Sequence, residues 1–276
     1  MELGIFSRTY EYSEPHLSFG KMSGHGLHRC QLNLSNGGMP TLPEARDEKK
    51  LAGLKSALEL HNIKCDGLSG TFNMIDPDRD AKERGIRQFQ LQCELAGELG
   101  IPLVSLCTGS KNPKSKWEWH EDNLKLSSWA ELLHTTEKIL RFAEDSGVVL
   151  GVETEVNNII NTPQRARRYL DEFKSPCLKI IMDGANLLTA ERLGSTREVL
   201  DEAFDALGRD IVSAHAKDLY PDGSGKILYT APGKGVLDFE YYTLRLKRAG
   251  YEGSLIMHGF AEAEVPSARD YLKNIM

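Results

Sequence analysis

The sequence predicts an α/β protein, a single eight-stranded parallel (β/α)₈ barrel with residues 1–276 as one domain. Three observations carry this prediction. From Ile63 onward, short apolar runs alternate with longer helical stretches punctuated by Gly or Pro. The runs are nearly continuous in apolar character, as parallel strands covered on both faces must be. An open doubly wound sheet would want a GxGxxG turn after the first strand, and none is present.

Glu2–Ser7 and Cys30–Leu34 read as the first two strands. The segment between them, Ser13–Gly26, carries three glycines and one proline and marks its helix poorly. Ile63–Leu68 is the third strand and closes in a Ser-Gly turn. Asp80–Leu99 places Ile86, Phe89, Leu91, Leu95 and Leu99 at helical spacing, with Gly100 where a C-cap belongs. Pro102–Cys107 is the fourth strand, followed by a loop rich in Trp, Lys and His. Ser127 or Ser128 is the expected cap of a helix that runs to Ser146 and stops at Gly147. Val148–Val152 leads to helix Pro163–Phe173, with Thr162 as N-cap and Pro163 at the first helical position. Leu178–Met182 leads to a helix near Thr196–Leu207. Ile211–Ala214 is followed by a Gly-rich loop and helix Phe239–Ala249, and Ser254–Met257 precedes a last helix from about Pro266.

Composition narrows the function classes. Hydrophobic residues make up 40% and charged residues 27% of 276, a balance that needs no disulfide or structural metal to hold a core. The net charge of -6 argues against nucleic acid as the main partner. No apolar run is long enough to span a membrane. Met1–Phe6 reads as a strand and not as a signal peptide, and five scattered cysteines without a CxxC pair suit thiols in a reducing cytoplasm. A homo-oligomer is compatible with these numbers.

In such barrels chemistry sits at the C-terminal ends of the strands. Four consecutive strands stop there in ionisable residues: Glu153-Thr154-Glu155, Asp183-Gly184-Ala185-Asn186, His215-Ala216-Lys217-Asp218 and His258-Gly259. Two carboxylates and two imidazoles suit one divalent transition ion, Mn²⁺ or Zn²⁺, with Co²⁺ or Fe²⁺ also fitting; Mg²⁺ and Ca²⁺ prefer oxygen shells. An ion-pair ring with Lys217 and no metal is the competing reading.

These strand ends resemble the xylose isomerase-like barrels, the sugar phosphate isomerase/epimerase superfamily that also contains endonuclease IV. The resemblance also takes in Gly70-Thr71-Phe72-Asn73-Met74, Leu106-Cys107-Thr108-Gly109 and Gly233-Lys234-Gly235-Val236-Leu237-Asp238-Phe239. It implies Glu153, Asp183 and His215 as metal ligands. The family's fourth ligand is usually a glutamate, and here that place holds His258. A symmetric exchange of the substrate proton between two ligand glutamates is therefore not expected.

Glu155 lies two residues beyond Glu153, so an extended backbone points both the same way, and it is the leading candidate for a general base. Lys217 is placed to stabilise an enolate-like oxygen. Asn186 stands three residues after Asp183, where many relatives carry a substrate-binding histidine. Asn73, Thr108, Trp117, His120 and Lys234 complete the expected substrate contacts; aromatic faces suit the C–H side of a sugar ring. Glu262 and Glu264 read as helix-entry residues. The expected activity is a metal-dependent isomerase or epimerase of a sugar, keto-sugar or polyol derivative, with a lyase or dehydratase on the same site as the alternative. The endonuclease relatives build their zinc clusters with His and Glu on early strands, where this chain offers Asn33, Ser69 and Thr108.

Overall fold

The computed structural model describes residues 1–276. Eight parallel strands close into a barrel: β1 (Glu2–Phe6), β2 (Arg29–Leu32), β3 (Lys64–Ser69), β4 (Leu103–Leu106), β5 (Val149–Glu153), β6 (Leu178–Asp183), β7 (Ile211–Ala216) and β10 (Ser254–Met257). β1 pairs with both β2 and β10, so the sheet has no free edge. Two short strands, β8 (Asp218–Pro221) and β9 (Ile227–Thr230), form a separate antiparallel hairpin over the C-terminal rim.

Helices fill the outer ring: α1 (Pro15–Gly24), α2 (Glu48–Leu60), α3 (Arg79–Glu98), α4 (Leu126–Ser146), α5 (Pro163–Phe173), α6 (Thr196–Leu207), α7 (Phe239–Arg248) and α8 (Val265–Ile275). None is long and apolar enough to cross a membrane. The sequence marks α1 poorly and gives no sign of α2. α1 forms because the Glu14 carboxylate accepts from the amides of His16 and Leu17, which lets it start at a proline. Its Gly20 has a packing role: a Cβ there would stand 3.2 Å from the ring of His61, at the end of α2.

Several details differ from expectation. α4 begins at Leu126, capped by Lys125 without a side-chain bond. Neither serine caps it: Ser128 is buried and donates to the Asp122 carbonyl. β5, β6 and β7 each run on to include the polar residue expected just beyond them, because the ladder continues through Asp183 opposite His215. The Gly-rich loop after the seventh strand contains the β8–β9 hairpin, turned by Asp222, whose carboxylate accepts from the amides of Ser224 and Lys226.

Inside the barrel, large aliphatic side chains press onto bare backbone. A Cβ at Gly151 would lie 2.7 Å from Ile181 Cγ1 and 2.9 Å from Leu103 Cδ1; one at Gly4 would lie 2.5 Å from Ile256 Cδ1. The interior below the rim is thus a packed floor, and only the layer above it is open.

Candidate active site and metal centre

A cavity of about 360 Å³ opens at the C-terminal end of the barrel. That matches the size of sites for small molecules, roughly 300–1,000 Å³. Its two halves differ. The β5, β6, β7 and β10 side carries Glu153, Glu155, Asn186, His215, Lys217 and His258; the β1 to β4 side carries Arg8, Gln31, Asn33, Thr41, Ser69 and Thr71.

On the first side, one donor atom from each of Glu153, Asp183, His215 and His258 lies within 4.8 Å of every other. Barrel stagger produces this: Asp183 and His215 are register partners, His258 directly follows the β10 residue paired with Ala216, and Glu153 ends β5. The set passes a test of fit for a metal. His215 Nδ1 is buried without a hydrogen-bond partner, yet faces Glu153 Oε2 at 3.6 Å and Asp183 Oδ2 at 4.0 Å. Its Nε2 lies 2.8 Å from Gln31 Oε1, which can only accept. Nε2 therefore carries the hydrogen and Nδ1 keeps its lone pair, aimed at two carboxylates. A buried lone pair facing anions is repulsive until a cation stands between them.

Charges around the cluster are strongly perturbed. Burial would raise the Asp183 carboxyl, but Lys217 at 3.5 Å, then His258 at 2.8 Å and His215, hold it well below the carboxylate range. Burial opposes the charge on Lys217 as well; Asp183 outweighs it and keeps the ammonium charged. The Lys217 Nζ also stands 3.9 Å from the ring centroid of Tyr229, on β9. Burial pushes His258 below its ordinary value against the pull of Asp183. Glu155 is pushed up to about 7, first by burial, with Glu153 and Asp183 adding to it and Lys217 opposing.

The structure brings Glu153, Asp183, His215, His258, Glu155, Lys217, Asn186 and Trp117 to this one cavity. Asn186 has both ends of its amide engaged, donating to Glu153 and accepting from Lys217, so it sets the positions of those two side chains. Four expected substrate contacts lie elsewhere. Asn73 clasps the main chain of Ser110 from a buried position, with bonds of 2.8 Å and 3.1 Å. Thr108 is fully buried, its hydroxyl accepting from the Ile160 amide. His120 caps a short 3₁₀ turn, with Nδ1 accepting from Asp122 N at 3.2 Å. Lys234 points outward to Glu264 at 3.0 Å. The glycine segment around Lys234 is structural: the Asp218 carboxylate accepts from the amides of Leu219, Gly233, Gly235 and Leu237. Glu262 stays outside the cavity, accepting from the Tyr12 hydroxyl at 2.9 Å.

Sequence reasoning passed over Gln31, Arg8 and Tyr229. Gln31 had a usable signal, a polar residue among the apolar neighbours Cys30 and Leu32; the other two had none, since loop and hairpin side chains gain meaning only from what they face.

Comparison with known proteins agrees with this architecture. A family model described as a xylose isomerase-like TIM barrel matches residues 25–275. The L-ribulose-5-phosphate 3-epimerase UlaE of Salmonella typhi is 29% identical, over 98% of this chain and 93% of its own. The crystal structure of 3-keto-D-glucoside 4-epimerase YcjR from E. coli superposes with a TM-score of 0.74 at 17% identity, covering 99% of both chains. That of the IOLI protein with a binding zinc atom gives 0.72 at 20% identity, covering 100% of this chain and 96% of that one. The chain belongs to the xylose isomerase-like TIM barrel family.

Proposed function

We propose that the protein is a metal-dependent sugar isomerase or epimerase acting on a keto-sugar or related polyol derivative. The observation that carries this reading is the His215 geometry: a buried, unpaired nitrogen converging with Glu153, Asp183 and His258 on the wall of a sugar-sized cavity. The sugar epimerase named among its relatives supports the substrate class.

Glu153, Asp183, His215 and His258 would hold the ion. Two imidazoles in the set favour Mn²⁺ or Zn²⁺ over Mg²⁺ or Ca²⁺. A divalent ion there supplies Lewis-acid polarisation of a carbonyl and its neighbouring hydroxyl, which acidifies the C–H between them. Glu155 takes that proton, since its carboxylate lines the same cavity without belonging to the four donors. The Lys217 ammonium stabilises the negative charge that develops on oxygen, and Asn186 holds that ammonium in place. Trp117 and Tyr229 border the opening and cover the apolar face of the ring.

One observation favours a lyase or dehydratase as the second reading. The cavity carboxylates Glu153 and Glu155 and the neighbouring Asp183 all come from β5 and β6, and the β10 position offers an imidazole. Removal of a proton on one face followed by loss of a β-hydroxyl needs no second carboxylate. Incubation of the metal-loaded enzyme with ketopentoses, their 5-phosphates and ketohexoses in D₂O distinguishes these outcomes. Deuterium at the carbon next to the carbonyl, in an isomeric product of unchanged mass otherwise, is expected. Loss of water from the product would favour the second reading, and absence of exchange with every sugar would remove both.

A further inference from the structure

The β1 to β4 side of the cavity holds an imbalance of charge that the metal chemistry does not use. Arg8, at the end of β1, lines the cavity and has neither a hydrogen-bond nor a salt-bridge partner. Lys116, half-buried in the loop after β4, stands directly behind the wall. Its Nζ donates to the carbonyl of Thr71 at 2.8 Å and lies 5.2 Å from the ring centroid of Trp117, and both Thr71 and Trp117 line the cavity. Neither cation is paired with a carboxylate.

Other lysines that are buried or half-buried are paired with carboxylates. Lys217 faces Asp183, and Lys82 and Lys111 share Glu131. A half-buried ammonium held only by a neutral carbonyl and an indole face is poorly compensated. Burial lowers the pKa of Lys116 and the repulsion of Arg8 adds to that, while Cys107 and, more weakly, Asp76 oppose it. Both cations are thus free to take an anion, Arg8 from an exposed place in the turn after β1 and Lys116 from behind the wall formed by Thr71 and Trp117.

We infer that Arg8 and Lys116 form a subsite for a phosphate monoester at the end of the ligand remote from the four metal-binding residues. Two cations match a phosphate dianion, about -1.5 to -2 at neutral pH, better than a single carboxylate. Arg8 supplies a planar fork for two oxygens, and Lys116 a point charge behind it. The uncharged polar residues of this side, Asn33, Thr41, Ser69 and Thr71, suit the sugar chain that joins the two ends. The position of the sugar rests on the function proposed above; the anion subsite rests on the two cations alone.

Two measurements test this and separate it from that reading. In the first, calorimetry compares a ketopentose 5-phosphate with the same ketopentose lacking phosphate on Mn²⁺-loaded protein. The phosphorylated sugar should bind about 10-fold or more tighter. The double variant Arg8→Gln/Lys116→Met should bring the ratio close to one, and Arg8→Lys should keep most of it. In the second, inorganic phosphate is titrated into chelator-treated protein and followed by tryptophan fluorescence through Trp117. It should bind, and binding should weaken about 10-fold in the double variant. Equal affinity for the two sugars, or a preference for phosphate that survives the double variant, overturns the inference. A protein that turns over no sugar yet binds phosphate through these two residues would sink the epimerase reading and leave this subsite standing.

Discussion

Substituting Gln31 tests the metal centre without touching a ligand. Gln31 is buried at 6% exposure, and its side-chain oxygen is the only partner of His215 Nε2. Gln31→Met keeps length and volume but removes the acceptor. His215 then has two choices. It can keep the hydrogen on Nε2, leaving a buried donor unpaired at a cost of about 1–3 kcal/mol. Or it can move the hydrogen to Nδ1, where Glu153 Oε2 at 3.6 Å and Asp183 Oδ2 at 4.0 Å attract it. The second choice relieves the metal-free protein and blocks the nitrogen the ion needs. Either way the balance shifts against the metal, by about 10- to 100-fold in affinity, or roughly 1.4–2.8 kcal/mol. Competition with a chromogenic chelator for Mn²⁺ or Zn²⁺ measures it. Gln31→Glu, which keeps an acceptor, should retain binding. An affinity for Gln31→Met within about twofold of the unaltered protein would refute the idea that Gln31 fixes the tautomer.

Two further substitutions probe the base and the roof of the site. Glu155→Gln should keep its metal, measured by elemental analysis, while turnover falls about 10²-fold or more; full turnover would move the base elsewhere. Asp218→Ala strips the acceptor from four backbone amides and should destabilise the fold by about 3 kcal/mol, which thermal unfolding would register as a loss of several degrees; an unchanged midpoint would mean that water replaces the carboxylate without loss.

The fold was legible because the six strand–helix units from Ile63 onward repeat one rhythm, and apolar runs that lack alternation admit few arrangements other than a closed parallel sheet. The convergence of Glu153, Asp183, His215 and His258 was legible for the same reason: each is anchored to a strand end, and strand ends converge in a barrel. Asn73, Thr108 and His120 were misread because sequence places them correctly on the rim but cannot say which way they turn. All three satisfy backbone groups of the loops after β4 and β5, a duty that polar residues near irregular backbone commonly take up. α2 escaped notice because its buried face is only Leu51, Leu54 and Ala57 amid charged residues. Arg8 and Lys116 are distant in sequence, and only the curvature of the barrel makes them neighbours of one cavity.

The Asp218 carboxylate ties the root of the β8–β9 hairpin to the glycine segment before α7. The hairpin tip, Asp222–Lys226, makes its own turn and takes no part in that knot. Root and tip are thus mechanically separate, like a hinge bolt and the far edge of a shutter. Residues added to or taken from the tip would change how far the shutter reaches across the opening without loosening the bolt. Such a barrel could be refitted for longer or shorter ligands by edits to a single exposed turn, leaving Tyr229 and everything beneath it where they stand.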